Sequence, residues 1–541
     1  MKMGRQYKQS LSREQGDFFP SHMDDLISEN HPVRIIDAYI ESLDLKALGY
    51  QNTKDNINNS GQPAYSPSAL LKLYLYGYIN RIKSSRSLEK ECQRNVEVMW
   101  LVNGLKPVYK TISNFRSQNR IAIRSTHKDF ILFCNKLSLF GGSCVAVDGS
   151  FFKGSASRNS FTTTAGLKKS LKKLDKHITQ WQNELDQRDE QEKGEEGKPA
   201  DLDLEEALQQ LEGWKKEKQD KEEELKRLEE AGKTQESSTD KDARLLNKRT
   251  QKVAGYSVQI AVDNKHHLII SDEVTTEPND LQQLHPMSLK AKEALGVNEL
   301  EVLADAGYYS GAHIADCIKD NITPYVPKPK TGVRGTEERY KLDQFKYDAD
   351  KNHYVCPAGN TLKLRGSPRT QNGQIFHRFS ASETDCKNCL QRAHCLGKKI
   401  PCRIVWRSEN EEILVAHQKR MDENKAKIRE RSALAEHPFG TMKSRAGWSH
   451  FLLRGKEKVS AEFSLMVMSY NFTRALNVLG FDRFLEEIKN KALFHLKRRG
   501  SELYLEVNKS YQFLQLTIIK SLVMKPDPSL GDFEGEKICA F

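Results

Sequence analysis

Cys144-Val145-Ala146-Val147-Asp148-Gly149 is a short apolar run that ends in a carboxylate and stops at a glycine, and Leu300-Glu301-Val302-Leu303-Ala304-Asp305 repeats the pattern downstream. Short runs of β-branched and small apolar residues bounded by turn chemistry suit buried strands. Between them Tyr256, Val258, Ile260 and Val262 alternate as a half-buried strand, Asp263-Asn264-Lys265 supplies a turn, and His267 to Val274 reads as the returning strand of a hairpin. A loop from Glu277 to Asp280, a helix from Pro286 to Leu295, a helix from Gly311 to Ile318 capped by Ser310 and the strand Pro324-Tyr325-Val326 complete a mixed α/β pattern. Two strands of one unit that each end in aspartate point to a functional site. Strand ends in such sheets open to solvent, where a carboxylate stays ionised and can hold a cation.

The rest of the chain frames that unit. Its 541 residues are too many for one compact core, so roughly two to four structural units are expected. Hydrophobic residues at 38% and charged residues at 29% suit a soluble globular protein. No uncharged apolar stretch is long enough to span a bilayer, and Met1 to Ser12 is polar and basic. The sequence therefore predicts neither membrane span nor secretory signal, and a cytoplasmic protein whose ten cysteines are thiols or metal ligands rather than disulfides. A net charge of +12 suggests an anionic partner, with nucleic acid the commonest one.

Residues 1–140 read as a helical domain. Ser66-Pro67 is a helix start, with a hydroxyl to cap free amides and proline where its missing N–H does no harm. The run from Leu70 to Ile79 is apolar on most sides and predicts a buried helix. A second helix is expected over Ser87 to Val98 and a third from Thr111 through Leu132, whose early part (Ser113 to Arg120) is polar and basic. Such a third helix fits a helix-turn-helix reader of DNA, with Asn114, Arg116 and Arg120 as contacts, or a bundle helix with a solvated face.

Residues 165–250 interrupt the α/β unit. Leu167, Leu171, Leu174, Ile178, Trp181 and Leu185 recur at steps of four and three, the seam of a coiled coil. Gly194, Gly197 and Pro199 break the helix, and Leu204, Ala207, Leu211, Trp214, Leu225 and Leu228 form a second seam, weakened by Lys218 and Lys221. An antiparallel helical hairpin is expected; the alternative is a disordered charged linker.

A third carboxylate lies in Arg431-Ser432-Ala433-Leu434-Ala435-Glu436-His437-Pro438-Phe439-Gly440-Thr441-Met442-Lys443. A helix from about Glu411 brings Glu436 near its end. Long basic side chains flanking a metal-bound carboxylate can grip phosphates beside a cut. Here the sequence becomes specific. The stretches Val145–Ser150, Val302–Ser310 and Ala435–Lys443 together resemble the DDE transposases of bacterial insertion sequences, which have an RNase H-like, retroviral-integrase-like core. The subgroup resembled has an N-terminal helical domain, a cysteine-bearing segment before the glutamate, and a Tyr-x2-Arg…Glu-x6-Lys signature. The resemblance implies Asp148, Asp305 and Glu436 as catalytic residues holding two Mg²⁺ or Mn²⁺ ions, with Lys443 as the signature lysine. Ile428 stands where the signature has tyrosine, and Arg431 is one residue further from the glutamate than the strict spacing. Glu462, a further acid nearby, reads as an exposed position on the helix carrying Phe463, Leu465, Met466 and Tyr470.

Between Lys328 and Arg407 lies a polar, turn-rich segment. Cys386 and Cys389 have the spacing for one Zn²⁺, and Cys395 and Cys356 complete a sulfur set, with Cys402 or His394 as substitutes. Structural zinc, a metal-free thiol cluster and a redox role all fit that spacing. Beyond Lys443, Arg445, Arg454, Lys456 and Lys458 interleave with Trp448, His450 and Phe451, which suits phosphate contact plus base stacking, or a solvated loop.

The expected architecture is α/β. An RNase H-like mixed-sheet core (141–164 and 251–330, completed by 407–480) carries an N-terminal helical domain (1–140) and an inserted coiled-coil hairpin (165–250). A cysteine-containing insertion (331–406) and a basic helical extension and tail (481–541) complete it. The expected function is DNA transposition by a homodimer in a bacterial cytoplasm, associated with the nucleoid, acting on terminal inverted repeats and target DNA. The alternatives are an RNase H-like nuclease without strand transfer, a catalytically silent DNA-binding derivative and a coiled-coil scaffold.

Overall fold

The computed structural model describes residues 22–53, 63–192, 203–248, 251–329, 339–371, 374–397 and 399–498. The polar start, the Gly194–Pro199 break and the tail beyond 498 lie outside the described residues, as do the side chains of Leu185, Leu204 and Ala207. The chain divides into two compact units, Leu45–Val478 and Met1–Asp44 with Leu479–Phe541.

The smaller unit contains α1 (Pro32–Glu41), which begins with proline where no hydrogen bond is lost, while the His31 side chain accepts from the Val33 N–H at 3.3 Å. Val33, Ile36 and Ile40 recur at helical spacing and are buried. They share the unit with a C-terminal helix described below.

The larger unit opens with α2 (Pro67–Ile79), capped as expected: the Ser66 hydroxyl accepts from the Ser68 N–H at 3.2 Å. It is buried from Leu70 to Tyr78 because apolar residues leave no polar stripe to face water. The expected second helix is two, α3 (Ser85–Arg94) and α4 (Val96–Leu101), divided where the Asn95 side chain caps the amides of Glu97 and Val98. The expected third is also two, α5 (Tyr109–Gln118) and α6 (Arg120–Lys136). Asn119 breaks it: its side chain is buried, accepting from Gln51 N–H at 2.9 Å and donating to the Phe115 carbonyl at 3.0 Å. An asparagine amide offers the backbone this alternative to the helical ladder.

The α/β layer follows. β1 (Cys144–Lys153) leads through β2 (Phe161–Thr163) into α7 (Thr164–Glu192) and α8 (Asp203–Glu230), and the chain returns through β3 (Gln235–Ser237), paired with β2. The two long helices pack antiparallel. Trp181 meets Trp214 edge-on at 5.7 Å, and Leu167, Leu174, Leu211 and Leu228 are buried. Lys218 and Lys221 do not weaken this seam: Lys218 pairs with Asp175 at 2.7 Å and Lys221 donates to Ser170 at 2.7 Å across it. Long lysine stems lie along the helices and place their charge at the rim.

β4 (Arg244–Lys248), β5 (Gln251–Asp263), β6 (Ile269–Thr275), α9 (Leu284–Leu295), β7 (Leu300–Leu303), α10 (Gly311–Lys319) and β8 (Ile322–Tyr325) complete the layer. β5 carries β1 on one edge and β6 on the other, both antiparallel; β7 lies parallel to β1 and β8 parallel to β7. The order is β6–β5–β1–β7–β8, with β4 continuing the β6 edge. β5 is buried on both faces, not half-buried: Ser257, Gln259 and Ala261 are as covered as Tyr256, Val258 and Ile260. Its two occupied edges and two covered faces leave no solvent side.

A second, antiparallel sheet is formed by β9 (Lys346–Asp348), β10 (His353–Val355), β11 (Thr361–Leu364), β12 (Arg369–Gln371) and β13 (Gln374–Ser380). The short helices α11 (Glu383–Lys387) and α12 (Arg392–Cys395) follow, and then β14 (Ile404–Ser408), paired with β13. Phe345, Tyr354, Leu362, Phe379 and Val405 give this segment a core of its own. The chain continues through α13 (Glu411–Glu423), α14 (Lys425–Gly440) and α15 (Lys456–Leu479). α16 (Phe481–Arg498) belongs to the smaller unit, where Lys491 lies 4.9 Å over the Tyr39 ring.

Candidate active site

The apolar run ends at Asp148 but the strand does not. β5 pairs with β1 as far as Lys153, whereas β7 pairs only as far as Ala146. Asp148 therefore sits where β1 has lost its parallel neighbour, a notch in a sheet that is closed on either side. From β7 the chain passes straight to Asp305, whose side chain accepts from the Gly307 N–H at 2.8 Å and starts a short turn of helix. The two aspartates thus leave adjacent parallel strands at the same end.

A residue that the sequence marked only as the end of a loop joins them. Asp280, in the loop after β6, accepts from the Gln259 amide at 2.6 Å, and Gln259, fully buried, in turn accepts from the Tyr308 hydroxyl. Gln259 lies opposite Gly149 in the β1–β5 register. A β-carbon at Gly149 would stand 2.5 Å from the Gln259 amide nitrogen and 2.8 Å from an Asp280 oxygen, so glycine beside Asp148 is required by this crossing. A β-carbon at Gly307 would meet Asp305 at 3.0 Å and Asp280 at 3.8 Å, which puts those two carboxylates side by side. The only sequence signal for Asp280 was its place in a turn, where acids are common for reasons of backbone geometry alone.

Electrostatics reflect this crowding. Burial pushes the Asp148 carboxyl up to about 6; Arg431 and the Gly149 amide oppose the rise, and Asp305 and Asp280 add to it. Asp280 is raised by burial and by Asp305, against its bond from Gln259. Burial also raises Tyr308, with Asp280, Asp148 and Asp305 reinforcing it, so its hydroxyl remains a donor. Arg431 lies 3.6 Å from Asp148. It faces the carboxylate cluster in this conformation and serves as its counter-charge.

α14 packs on the strand layer through Leu434 and Ala435, which join Cys144, Ala146 and Leu303 in one apolar cluster. The helix starts after a break at Asn424 and runs through Pro438 into a π-wound turn, Thr441–Arg445. Lys443 turns toward β1, donating to the Ser150 hydroxyl and, at 2.8 Å, to the Phe151 carbonyl, with its ammonium 4.5 Å over the Phe152 ring. The signature lysine is therefore two residues from Asp148 along the strand. Glu436 is exposed on α14, beyond the buried face that Ala435 and Phe439 define. Among the described residues no three His, Cys, Asp or Glu side chains are grouped to hold a metal ion. Asp148, Asp280 and Asp305 fit a hard divalent cation in kind, as oxygen donors that repel one another until a cation separates them.

Several other sequence-predicted contacts fall elsewhere. Arg116 is buried, donating to the Tyr78 hydroxyl at 3.0 Å and lying 3.9 Å from Glu462, so it cannot reach DNA. Glu462 is not exposed but fully buried, accepting from the backbone N–H groups of Leu452 and Leu453. Asn114 is exposed and lines a cleft with Arg86 and Lys110, while Arg120 pairs with Glu457 at 2.8 Å. Arg445 and Arg454 are exposed, the latter donating to Ser155 at 3.3 Å. Trp448 and Phe451 are buried and cannot stack on bases: the segment after Lys443 bonds to Lys153, and its rings pack against Tyr78 and Phe152.

Cys356, Cys386, Cys389 and Cys395 line one small cavity in the second sheet. The Asn360 N–H donates to the Cys356 sulfur at 3.3 Å. Burial pushes the Cys386 and Cys395 thiols up, and the neighbouring sulfurs add to it. An all-sulfur set of this kind suits Zn²⁺ in donor type.

No curated protein matches the chain. A solved structure described as the cryo-EM structure of a piggyBac transposase synaptic complex with hairpin DNA aligns with a TM-score of 0.28 at 8% identity, covering 93% of this chain and 87% of that one. That likeness is too loose to carry a fold assignment. Two family models match by sequence: a transposase domain over residues 21–118 and a transposase DDE domain over residues 355–476. The second match takes in α14 with Glu436 and Lys443, the helix whose packing closes one side of the Asp148 notch, and over both matched segments the chain is similar to transposases, the second segment to their DDE domain.

Proposed function

We propose that this chain is the transposase of a bacterial insertion sequence, with an RNase H-like core and with Asp148, Asp305 and Glu436 as its catalytic acids. The observation that carries the reading is the notch itself: two aspartates leave adjacent parallel strands at one end, and the signature lysine is folded onto the same strand beside them. The strand order, three antiparallel strands continued by two parallel ones, supports the RNase H-like assignment.

Asp148, Asp305 and Glu436 would hold divalent ions, which supply activation of the attacking oxygen and stabilisation of the leaving one. Asp280, positioned by Gln259, adds negative charge to the same pocket. Arg431 offsets the charge of Asp148, and Lys443 ties α14 to β1 so that the helix carrying Glu436 keeps its register with the strand. At each element end the oxygen of water bonds to phosphorus and gives up a proton, the bond from phosphorus to the 3′ oxygen breaks, and that oxygen takes up a proton to become a free 3′-hydroxyl, leaving the phosphate on the 5′ side. In the joining step this hydroxyl oxygen bonds to a target phosphorus and displaces the target's own 3′ oxygen. A homodimer would pair the two ends. In the second sheet, Cys356, Cys386, Cys389 and Cys395 would hold a structural Zn²⁺.

The test is cleavage of labelled terminal inverted repeats with Mg²⁺ or EDTA by wild type and by Asp148→Ala, Asp305→Ala and Glu436→Ala. Each variant should lose about 10²-fold or more in rate while keeping end binding. Full cutting by any one of them removes that residue from the site. Cleavage without joining of pre-cut ends would favour a nuclease instead.

A further inference from the structure

On the other side of the π-wound turn from Lys443 lies a cavity of about 230 Å³. Thr441 and Arg445, one turn apart, face it, and Arg81 from the end of α2 and Thr473 and Arg474 from α15 complete its polar wall. Among the described residues no aspartate or glutamate lines it. Three guanidinium groups around one concavity without a carboxylate are an unbalanced charge. Arg474 uses its Nε on the His266 carbonyl at 2.7 Å, which fixes the side chain and leaves its terminal nitrogens for another acceptor. Arg81 and Arg445 are both exposed.

A second observation comes from Trp448. Its ring is 4% exposed and packs edge-on against Tyr78 at 5.7 Å, yet its indole N–H is buried and meets no acceptor among the described residues. An indole nitrogen is a donor only, and a buried donor without a partner is costly. Trp448 belongs to the wall of this cavity. Three cations around one space, with no carboxylate among its lining residues, call for an anion with several acceptor oxygens.

We infer that this cavity is a phosphate subsite, in which Arg81, Arg445 and Arg474 hold a backbone phosphate of bound DNA beside the Trp448 ring. The tetrahedral oxygens of a phosphodiester match planar guanidinium forks. Naming DNA as the source rests on the proposed function. The subsite's place on the turn that follows α14 would anchor the duplex about two helical turns from Glu436.

The experiment measures binding of labelled terminal-repeat duplex as a function of salt for wild type and for the Arg81→Gln/Arg445→Gln variant. In parallel, tryptophan emission is followed as inorganic phosphate is added at constant ionic strength, with Trp448→Phe isolating the Trp448 signal. The variant should bind the duplex about ten- to a hundredfold more weakly, with the log–log salt slope reduced by about one. Phosphate should perturb Trp448 emission in wild type and not in the variant. Both arginines are exposed, so the melting curve should not move. Unchanged affinity and slope in the variant, with the duplex still bound, overturn the subsite and leave the proposed function standing. A Trp448 response to phosphate in a protein that binds no duplex overturns DNA as the source, and the proposed function with it.

Discussion

Asp148 pays for its position in protonation. Its folded pKa of about 6 lies above the ordinary carboxylate value near 3.8, chiefly through burial. The folded state thus binds a proton more tightly than the unfolded chain, so this residue's stabilisation is complete below pH 4 and is lost as pH rises through 6. In EDTA at pH 7.5, Asp148→Asn should be more stable than wild type by up to about 3 kcal/mol, discounted for partial solvent access, and the difference should vanish at pH 4. Denaturant unfolding at the two pH values checks this. A wild type that is equally stable relative to the variant at both would show that the carboxyl is not desolvated. At the same scale, Gly149→Ala should displace Gln259 and Asp280 and lower cleavage by at least about tenfold, since the added carbon overlaps both side chains. Cleavage rates and a crystal structure of that variant would show whether the loop with Asp280 moves.

Among the elements, the fate of α5 shows how a correct secondary-structure reading gives a wrong role. The polar, basic sequence from Ser113 to Arg120 does form helix, but Arg116 and Asn119 point inward, and the inward face is polar because it meets Glu462 on α15. A buried carboxylate at long sequence separation leaves no trace in a local pattern. Glu462→Ala would strand the Arg116 guanidinium and two backbone amides, costing about 3–5 kcal/mol. The chevron or melting curve reads that cost, and loss of DNA affinity in Arg116→Ala should follow loss of folded protein rather than precede it. In α7 and α8, by contrast, Leu167, Leu174, Leu211 and Leu228 of the heptad positions are buried. A heptad is a local signal, and Trp181 and Trp214 from its two stretches meet edge-on. In the cysteine-bearing sheet, four thiols around one cavity predict about one bound zinc per chain by elemental analysis, with chelation lowering the melting temperature of that sheet. A metal-free protein with an unchanged melt would leave a plain thiol cluster on the Phe379 and Leu362 core.

Across the whole molecule, strands could be read one by one while their assembly could not. Cys144–Asp148 and Leu300–Asp305 are apolar enough to declare themselves buried strands, and both runs end in aspartate. Pairing partners are another matter: that β5 covers β1 to Lys153 while β7 stops at Ala146 depends on strand lengths far apart in the chain. For the same reason Asp280, which reaches the site through Gln259 on a different strand, carried no sequence mark beyond the end of a loop, and the outward placement of Glu436 follows from which neighbours α14 finds.

The π-wound turn at Thr441–Arg445 has a consequence for the phase of everything after it. One surplus residue in a helical turn advances the following side chains by about 100°. Shortening this turn by a single residue would leave the composition of the motif intact and yet swing Lys443, Arg445 and Trp448 to different compass points, so that neither the ammonium on β1 nor the guanidinium at the cavity could be regained by local rotamer changes.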